Sequence, residues 1–180
     1  MINKLKRQKL DIRFMKASIY EAKKARRGGD YAIGSVITKN GKIIARTGTK
    51  SRTSNDPTAH NEVVALRMAA KKMKNRHLIG CTLYSTCAPC PMCITACIWA
   101  KIDRVVYGSH QSDMVAYSKK HGEYKLGNKA EYLWRGTKIE PTFLYKHYLK
   151  IAHPTMKIRS GFMRKECNHL FGYIPYRRKK

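Results

Sequence analysis

The spacing of apolar residues near the start of the chain predicts a helix. These residues stand at i, i+3, i+7 and i+10: Ile12, Met15, Ile19 and Ala22. They form one apolar stripe over residues 11–26, opposite a lysine-rich outer face, as in an amphipathic helix. Gly28-Gly29 follows the last apolar turn, so we expect the helix to end there.

Similar spacing predicts a second helix further along the chain. Its apolar face consists of Val63, Leu66, Ala70 and Met73, and its outer face carries Lys71, Lys72 and Lys74. Asp56-Pro57 is a capping residue followed by proline, a frequent pair at a helix start. We therefore expect the helix to begin there, with His60 and Glu62 in its first turn.

Strand patterns surround these helices. Residues 33–38 and 42–46 are strand-like, and Asn40-Gly41 between them is the strongest short signal for a hairpin turn. In the middle of the chain, residues 82–85 predict a strand and residues 104–107 predict another.

An apolar helix lies between these last two strands. It starts near Cys90, ends near Ala100 and contains no charged residue. Strand, helix and strand in this order predict a parallel right-handed crossover, and a helix that is apolar on all sides is expected to be buried.

The pattern is weaker in the last third of the chain. Residues 109–141 are polar and contain several glycines, which predicts a long loop with broken helices. A last helix is expected over residues 162–171. Its apolar stripe consists of Met163, Cys167, Leu170 and Phe171. No repeat or low-complexity linker divides the chain, so we expect one α/β domain over residues 1–180.

Composition adds a strong positive charge to this picture. The chain has 38 Lys or Arg residues against 11 Asp or Glu, a formal net charge of +27, and such a field attracts phosphate backbones. The excess is concentrated in a basic N-terminal segment, residues 1–27, and a basic C-terminal segment, residues 138–180. A nucleic-acid-binding face and a solvated lysine-rich surface both fit this distribution.

The sequence contains no signal for a membrane or a secreted protein. No apolar run approaches the roughly 20 residues that cross a bilayer, and no apolar segment follows the first basic residues as in a signal peptide. Six cysteines in such a chain are expected to be thiols or metal ligands. We therefore expect a cytoplasmic protein.

Two short motifs in this framework contain residues that bind zinc. Residues 60–62 read HNE and residues 89–93 read PCPMC, which together spell HxE followed by PCxxC. Cys90 and Cys93 project from one side of a helix start, and His60 offers a neutral nitrogen ligand. Three protein ligands leave the fourth tetrahedral position of Zn²⁺ for water, as in catalytic zinc sites.

Glu62 follows the histidine ligand by two residues and need not bind metal. It is placed to take a proton from water and return it to a substrate, the role of glutamate in zinc deaminases with this signature. Taken separately, the motifs also fit a capping histidine, a structural zinc knuckle or a redox CxxC pair. Their joint occurrence favours the catalytic interpretation.

The other cysteines and the tryptophan of the apolar helix have simpler interpretations. Cys81, Cys97 and Cys167 are expected to be buried hydrophobic residues. Cys87 is expected to be a small residue in the wall of the pocket. The alternative is that it substitutes for one of the zinc ligands. From its helix position alone, Trp99 is expected in the core, with a base-stacking role as the alternative.

With these motifs the chain resembles the cytidine deaminase-like superfamily, and within it the branch of guanine deaminases and tRNA adenosine deaminases. The resemblance runs from about Asp11 to Gly108. Besides the ligand motifs, four segments carry it: the hairpin at 34–44, NDPTAH at 55–60, LYST at 83–86 and RVVYG at 104–108.

This resemblance implies a fold, a cofactor and an assembly. The fold would be a three-layer sandwich with a central mixed five-stranded sheet between helices. Zn²⁺ would be held by His60, Cys90 and Cys93, with proton transfer by Glu62. The protein would be a homodimer.

The two subfamilies imply different substrate contacts. Cys87 and Trp99 look like the corresponding guanine deaminase positions, which would place both near a purine, together with Ala59 and Pro89. The tail is similar to the C-terminal helix of tRNA adenosine deaminases, which contributes to RNA binding. By that similarity Arg177 and Arg178 would contact nucleic acid.

Three positions depart from this branch. Ala88 stands where glutamate usually precedes the PCxxC proline, and Asn61 replaces the usual alanine between histidine and glutamate. Residues 49–51 read TKS where relatives place an asparagine that holds the base or ribose. None of these changes removes a zinc ligand or the acid/base.

Motifs and resemblance together predict zinc-dependent hydrolytic deamination of a purine-type base or nucleoside, with release of ammonia. The alternative is adenosine-to-inosine editing in tRNA, in which the base is flipped out of a loop and basic segments contact phosphates. A third possibility is a nucleic-acid-binding module or a toxin-like editor of single strands on the same scaffold, with an active or an inactive site. The expected partners are therefore a nucleobase or nucleoside and, in the alternatives, nucleic acid.

Overall fold

The computed structural model describes residues 3–120 and 140–172. Arg177 and Arg178, together with residues 121–139 of the predicted loop, lie outside the described residues. The helices are Lys4–Arg27 (α1), Asn61–Met73 (α2), Pro91–Trp99 (α3), Gln111–Lys120 (α4), Pro141–Leu144 (α5) and Arg164–Asn168 (α6). The strands are Gly34–Lys39 (β1), Lys42–Gly48 (β2), Cys81–Cys87 (β3), Arg104–Ser109 (β4) and Lys157–Arg159 (β5).

The five strands form one mixed sheet in the order β2-β1-β3-β4-β5. β1 pairs antiparallel with β2 and β3, whereas β4 is parallel to β3 and β5. The β1–β2 hairpin turns at Asn40 and Gly41, which have φ values of 50° and 72° as a type I′ turn requires. The predicted hairpin and the parallel β3–α3–β4 unit are confirmed, while the three-residue β5 was implied only by the resemblance.

Helices cover both faces of the sheet. On one face α2 and α3 pack on a cluster that includes Leu83 and Val105, and on the other α1 and α6 pack on Tyr84 and Val106. Because neighbouring strand residues point to opposite faces, both β3 and β4 are buried on two sides. The expected three-layer architecture is therefore present.

The buried face of α1 differs from the predicted stripe. The helix begins at Lys4, capped by the Asn3 side chain, seven residues before the predicted start, and ends at Arg27 before the expected Gly28-Gly29. Its buried residues are Asp11, Phe14, Met15, Ser18, Glu21 and Ala22, with Ile12 and Ile19 only half-buried. The buried face is therefore rotated relative to the predicted apolar stripe. The prediction missed this because three of the buried side chains are polar.

Asp11 accepts four hydrogen bonds from side chains of the sheet. Both of its carboxylate oxygens accept hydrogen bonds from Arg104, at 2.8 and 2.7 Å, and Tyr84 and Arg159 donate to it at 2.7 and 2.9 Å. These partners belong to β3, β4 and β5, so one carboxylate joins α1 to three strands. A buried charge is tolerated when its hydrogen-bonding capacity is filled in this way.

Two boundaries differ from the sequence prediction. α2 begins at Asn61, with His60 as its capping residue, and not at Asp56-Pro57. Asp56 instead accepts hydrogen bonds from the backbone N–H and the hydroxyl of Thr58, which closes a turn before the helix. Residues 111–120, in the segment expected to be a long loop with broken helices, form the ten-residue α4.

The apolar helix α3 is buried on one side only. Cys93, Ile94, Cys97 and Ile98 face the core, but Trp99 is 79% exposed, so its predicted core position is wrong. The predicted burial of Cys81, Cys97 and Cys167 is confirmed. Among the described residues, no helix combines the length and apolar character that a membrane span requires.

Candidate active site

Three ligand-type side chains meet where α2 and α3 begin. The Nδ1 atom of His60 lies 3.6 Å from Sγ of Cys90 and 3.5 Å from Sγ of Cys93, and the two sulfur atoms are 3.5 Å apart. Tetrahedral zinc, with Zn–S of about 2.3 Å and Zn–N of about 2.0 Å, separates such ligand atoms by about 3.5 to 3.8 Å. The donor set therefore fits one zinc ion, as the sequence predicted.

The backbone explains why these residues converge. His60 is the capping residue of α2, and Cys90 is that of α3, followed by Pro91 at the first helical position. Neither side chain caps its own helix by a hydrogen bond, so both remain available as ligands. The positive ends of two helix dipoles favour negatively charged thiolates at this point.

The two thiols differ in acidity. Hydrogen bonding to Cys93 and His60, against the effect of burial, lowers the pKa of Cys90 to about 4. The pKa of Cys93 is raised, because its thiol is the hydrogen-bond partner of Cys90 and is buried. Hydrogen bonding to Cys90 also raises the pKa of His60. One thiolate is thus favoured before any metal binds, and a metal ion would favour the second.

The carboxylate of Glu62 lies beside the three ligands and is held by a hydrogen bond from β3. Glu62 occupies the first turn of α2 and is only 3% exposed, and its Oε1 accepts a hydrogen bond of 2.7 Å from the Ser85 hydroxyl of β3. Burial raises the pKa of Glu62, and the negative charge of Cys90 adds to this effect. A raised pKa suits a carboxyl that both accepts and donates a proton near neutral pH.

A buried polar network behind Glu62 was not predicted. The Nδ2 atom of Asn61 donates to Oγ of Ser35 at 2.5 Å and to Oγ of Ser85 at 3.1 Å. All three side chains are 2% exposed or less. The only sequence signal was Asn61 itself, a departure from the resembled branch, because nothing in the sequence shows that β1 and β3 bring two serines to it.

The residues expected to contact substrate divide into two groups. Ala59, Cys87 and Pro89 are buried near the ligands, and the carbonyl of Ala59 accepts from the Lys50 N–H at 3.0 Å, which ties the TKS segment to the site. Trp99 is the exception. It stands six residues beyond Cys93, about 9 Å along the helix axis, and is exposed.

A second polar cluster follows β4. His110 Nδ1 lies 3.0 Å from Oε2 of Glu140, which also accepts a hydrogen bond from the Tyr107 hydroxyl at 3.2 Å. Burial raises the pKa of Cys87, and the negative charges of Glu62, Cys167 and, to a smaller extent, Glu140 add to this effect. The sequence did not indicate this cluster, because Glu140 lies 33 residues beyond Tyr107 and 30 beyond His110.

Comparison with known proteins identifies relatives of this chain. A family model described as "Cytidine and deoxycytidylate deaminase zinc-binding region" matches residues 8–109. The tRNA-specific adenosine deaminase of Aquifex aeolicus (strain VF5) is 36% identical over 109 residues, which are 61% of this chain and 68% of that protein. The guanine deaminase of Bacillus subtilis (strain 168) is 46% identical over 86 residues, 48% of this chain and 54% of that protein.

A solved structure is also similar to this chain. A structure from studies of A-to-I editing by tRNA:A34 deaminases superposes with a TM-score of 0.67 at 28% identity, and the match covers 88% of this chain and 99% of that chain. This agreement confirms the expected mixed five-stranded sheet between helices.

Proposed function

The chain belongs to the cytidine and deoxycytidylate deaminase zinc-binding family, and from that premise we propose that it is a zinc-dependent enzyme that hydrolytically deaminates a purine base. One observation carries the proposal: a buried glutamate lies beside a three-ligand His/Cys/Cys set that leaves one tetrahedral position open. A purine is favoured because the relatives named above are guanine and tRNA adenosine deaminases.

His60, Cys90 and Cys93 hold the metal in this proposal. A zinc ion bound there supplies a Lewis acid with one open position, which makes water more acidic. The thiolates and imidazole fill three positions and orient the ion, and the buried surroundings limit access of bulk water.

Glu62 moves the proton. Its carboxylate accepts a proton from the attacking water and donates one to the purine as the new C–O bond forms at the amino-bearing ring carbon. Glu62 then transfers the proton of the new hydroxyl to the amino group, the C–N bond breaks, ammonia leaves, and the ring carbon keeps an oxo group. Ala59, Pro89 and Cys87 form the wall against which the base rests.

The test is ammonia release from a panel of guanine, adenine, guanosine, adenosine and tRNA. We expect turnover of at least one purine substrate, and loss of turnover in Glu62→Gln with zinc content unchanged. Cys97→Ala is the matched control, because Cys97 is a buried thiol of α3 outside the ligand set. No ammonia from any substrate with zinc-loaded protein would overturn the proposal.

A second candidate is adenosine editing within tRNA, and the surface of α1 favours it. Nine basic residues of this helix are exposed: Lys4, Lys6, Arg7, Lys9, Arg13, Lys16, Lys23, Lys24 and Arg27. Its two acids, Asp11 and Glu21, are buried and paired with arginines. A cationic surface about 36 Å long therefore carries no exposed acid, and such a surface attracts phosphates.

Charge reversal separates this candidate from the first. The triple variant Lys9→Glu, Arg13→Glu, Lys16→Glu is compared with a matched triple at the end of α2, Lys71→Glu, Lys72→Glu, Lys74→Glu, in which Lys74 directly follows the helix. If tRNA is the substrate, the α1 triple weakens tRNA binding and flattens its salt dependence, while the α2 triple changes both less. Equal effects of the two triple variants would show that tRNA binding depends on the overall net charge and not on the surface of α1.

The exposed side of α3 supports the proposal of a homodimer. Met92 and Trp99 stand seven residues apart, on the same face, and are 37% and 79% exposed. A helix that is apolar on all sides is normally covered, and a second copy would cover this face. Light scattering tests the assembly: the wild type is expected as a dimer and Trp99→Lys as a monomer, whereas a monomeric wild type would refute it.

A further inference from the structure

Glu62 stands at the end of a chain of buried hydrogen bonds that joins three elements. Ser35 of β1, Asn61 of α2 and Ser85 of β3 form this chain, and Ser85 donates to Oε1 of Glu62 at 2.7 Å. Ser35 and Ser85 face each other in the antiparallel register of β1 and β3. The site therefore rests on a buried polar layer.

The direction of these hydrogen bonds follows from the chemistry of the groups. A hydroxyl has one hydrogen to donate, while the Nδ2 group of asparagine can only donate. Ser85 accepts from Asn61, so its single hydrogen is free to point at the carboxylate of Glu62. The second N–H of Asn61 is bound by Ser35, which fixes the orientation of the amide.

We propose that Asn61 is a positioning residue for the deamination proposed above: by donating to Ser35 and Ser85 it turns the Ser85 hydroxyl toward Glu62 and fixes the carboxylate that transfers the proton. The inference rests on the proposed function. Ser85 donates to Oε1 and so restricts the rotation of the carboxylate that exchanges the proton with water and purine. Asn61 touches no reacting atom and acts only through Ser85.

The same layer gives a reason for the identity of residue 61. With alanine there, the Ser85 hydroxyl would lose the donor that directs it and could turn to other acceptors. The charge-assisted hydrogen bond to the carboxylate would then be made only part of the time. A carboxylate free to rotate must be ordered again in each turnover, which lowers kcat while leaving substrate affinity unchanged.

Steady-state ammonia release measures this effect. The substrates are guanine, adenosine and an unmodified tRNA transcript, and the variants are Asn61→Ala, Ser85→Ala, their double mutant and Ser85→Thr. We expect kcat to fall about tenfold to a hundredfold in Ser85→Ala and about tenfold in Asn61→Ala, with KM within about twofold. Ser85→Thr keeps the hydroxyl and should retain most of the activity.

The double mutant distinguishes positioning from a general structural role. If Asn61 acts through Ser85, the double variant has the kcat of Ser85→Ala alone. Zinc content should stay at one ion per chain in all variants. If Asn61→Ala does not fold, Ser35→Ala replaces it, because it releases the amide without touching Ser85 or Glu62, and the same pattern is expected.

The outcomes separate this inference from the proposed function. Wild-type protein that releases no ammonia from any of the three substrates overturns both. Active wild type with an undiminished kcat in Asn61→Ala overturns the inference alone. Losses that multiply in the double mutant, or a change confined to KM, also overturn it.

Discussion

Replacing Asp11 by asparagine should destabilise the whole domain, because this buried carboxylate is the only charge that neutralises Arg104 among its described hydrogen-bond partners. Asp11→Asn keeps the size of the side chain but removes its charge and turns one acceptor into a donor that faces arginine and tyrosine donors. The side chains of Asp11 and Arg104 are only 1% and 15% exposed, so water cannot replace the lost partner.

The expected magnitude follows from this burial. Removing one partner of a buried ion pair typically costs about 3–5 kcal/mol, because the other charge is left uncompensated. For a chain of this size each kcal/mol lowers Tm by about 2–4 °C, so the variant should melt about 6–20 °C below the wild type. Arg67→Gln is the matched control, since Arg67 pairs with Asp56 on the exposed surface at 3.9 Å, and it should melt with the wild type.

Thermal melting at fixed zinc concentration and several pH values tests the argument. Burial raises the pKa of Asp11, but hydrogen bonds from Arg104 and Tyr84 and the nearby arginine charges outweigh it and hold the pKa below its ordinary value. The stabilisation is therefore complete above the unfolded pKa of about 4 and is lost as pH falls through the folded pKa. The gap between wild type and Asp11→Asn should be widest at neutral pH and narrow below about pH 4. A gap under about 2 °C at pH 7, or an equal gap at pH 3, would refute the reasoning.

Three further predictions concern packing, a turn and the metal ligands. Gly108→Ala should lower stability by about 1–3 kcal/mol in urea unfolding, because the new methyl group would overlap the Cys167 side chain; unchanged stability would contradict this packing. Gly41→Ala should cost about 1–2 kcal/mol, because the hairpin requires a φ of +72° there, and a melt equal to wild type would argue against that turn. Cys90→Ser should leave well under one zinc per chain by atomic emission, whereas Cys97→Ser should retain it; equal zinc in both would exclude Cys90 as a ligand.

Local signals predicted most of the elements. Asn40-Gly41 specifies its turn through backbone preferences of two residues, β3 and α3 contain no charged residue, and β4 contains the apolar run Val105-Val106-Tyr107. The pattern failed where polar residues are buried. Asp11 and Glu21 lie on the buried face of α1 because arginines from other elements pair with them. No local pattern predicts a partner that is distant in the sequence.

The boundaries of the helices likewise depend on contacts that local patterns do not predict. Asp56-Pro57 has the composition of a helix start, but Asp56 accepts hydrogen bonds from Thr58 in a turn, and the helix starts four residues after Pro57, directly after His60. The predicted core position of Trp99 was wrong for a different reason. The apolar character of α3 was real, yet only one of its faces packs on the sheet within a single chain.

The sequence by itself determined the chemistry: HxE and PCxxC specify the ligands and the neighbouring carboxylate, because a helical i, i+3 spacing already brings Cys90 and Cys93 to one metal. Only the tertiary structure decided what surrounds that chemistry. Ser35, Asn61 and Ser85 meet behind Glu62 because β1 and β3 pair in one register and α2 packs across them. Such contacts depend on pairing between segments far apart in the chain, which residue patterns do not encode locally.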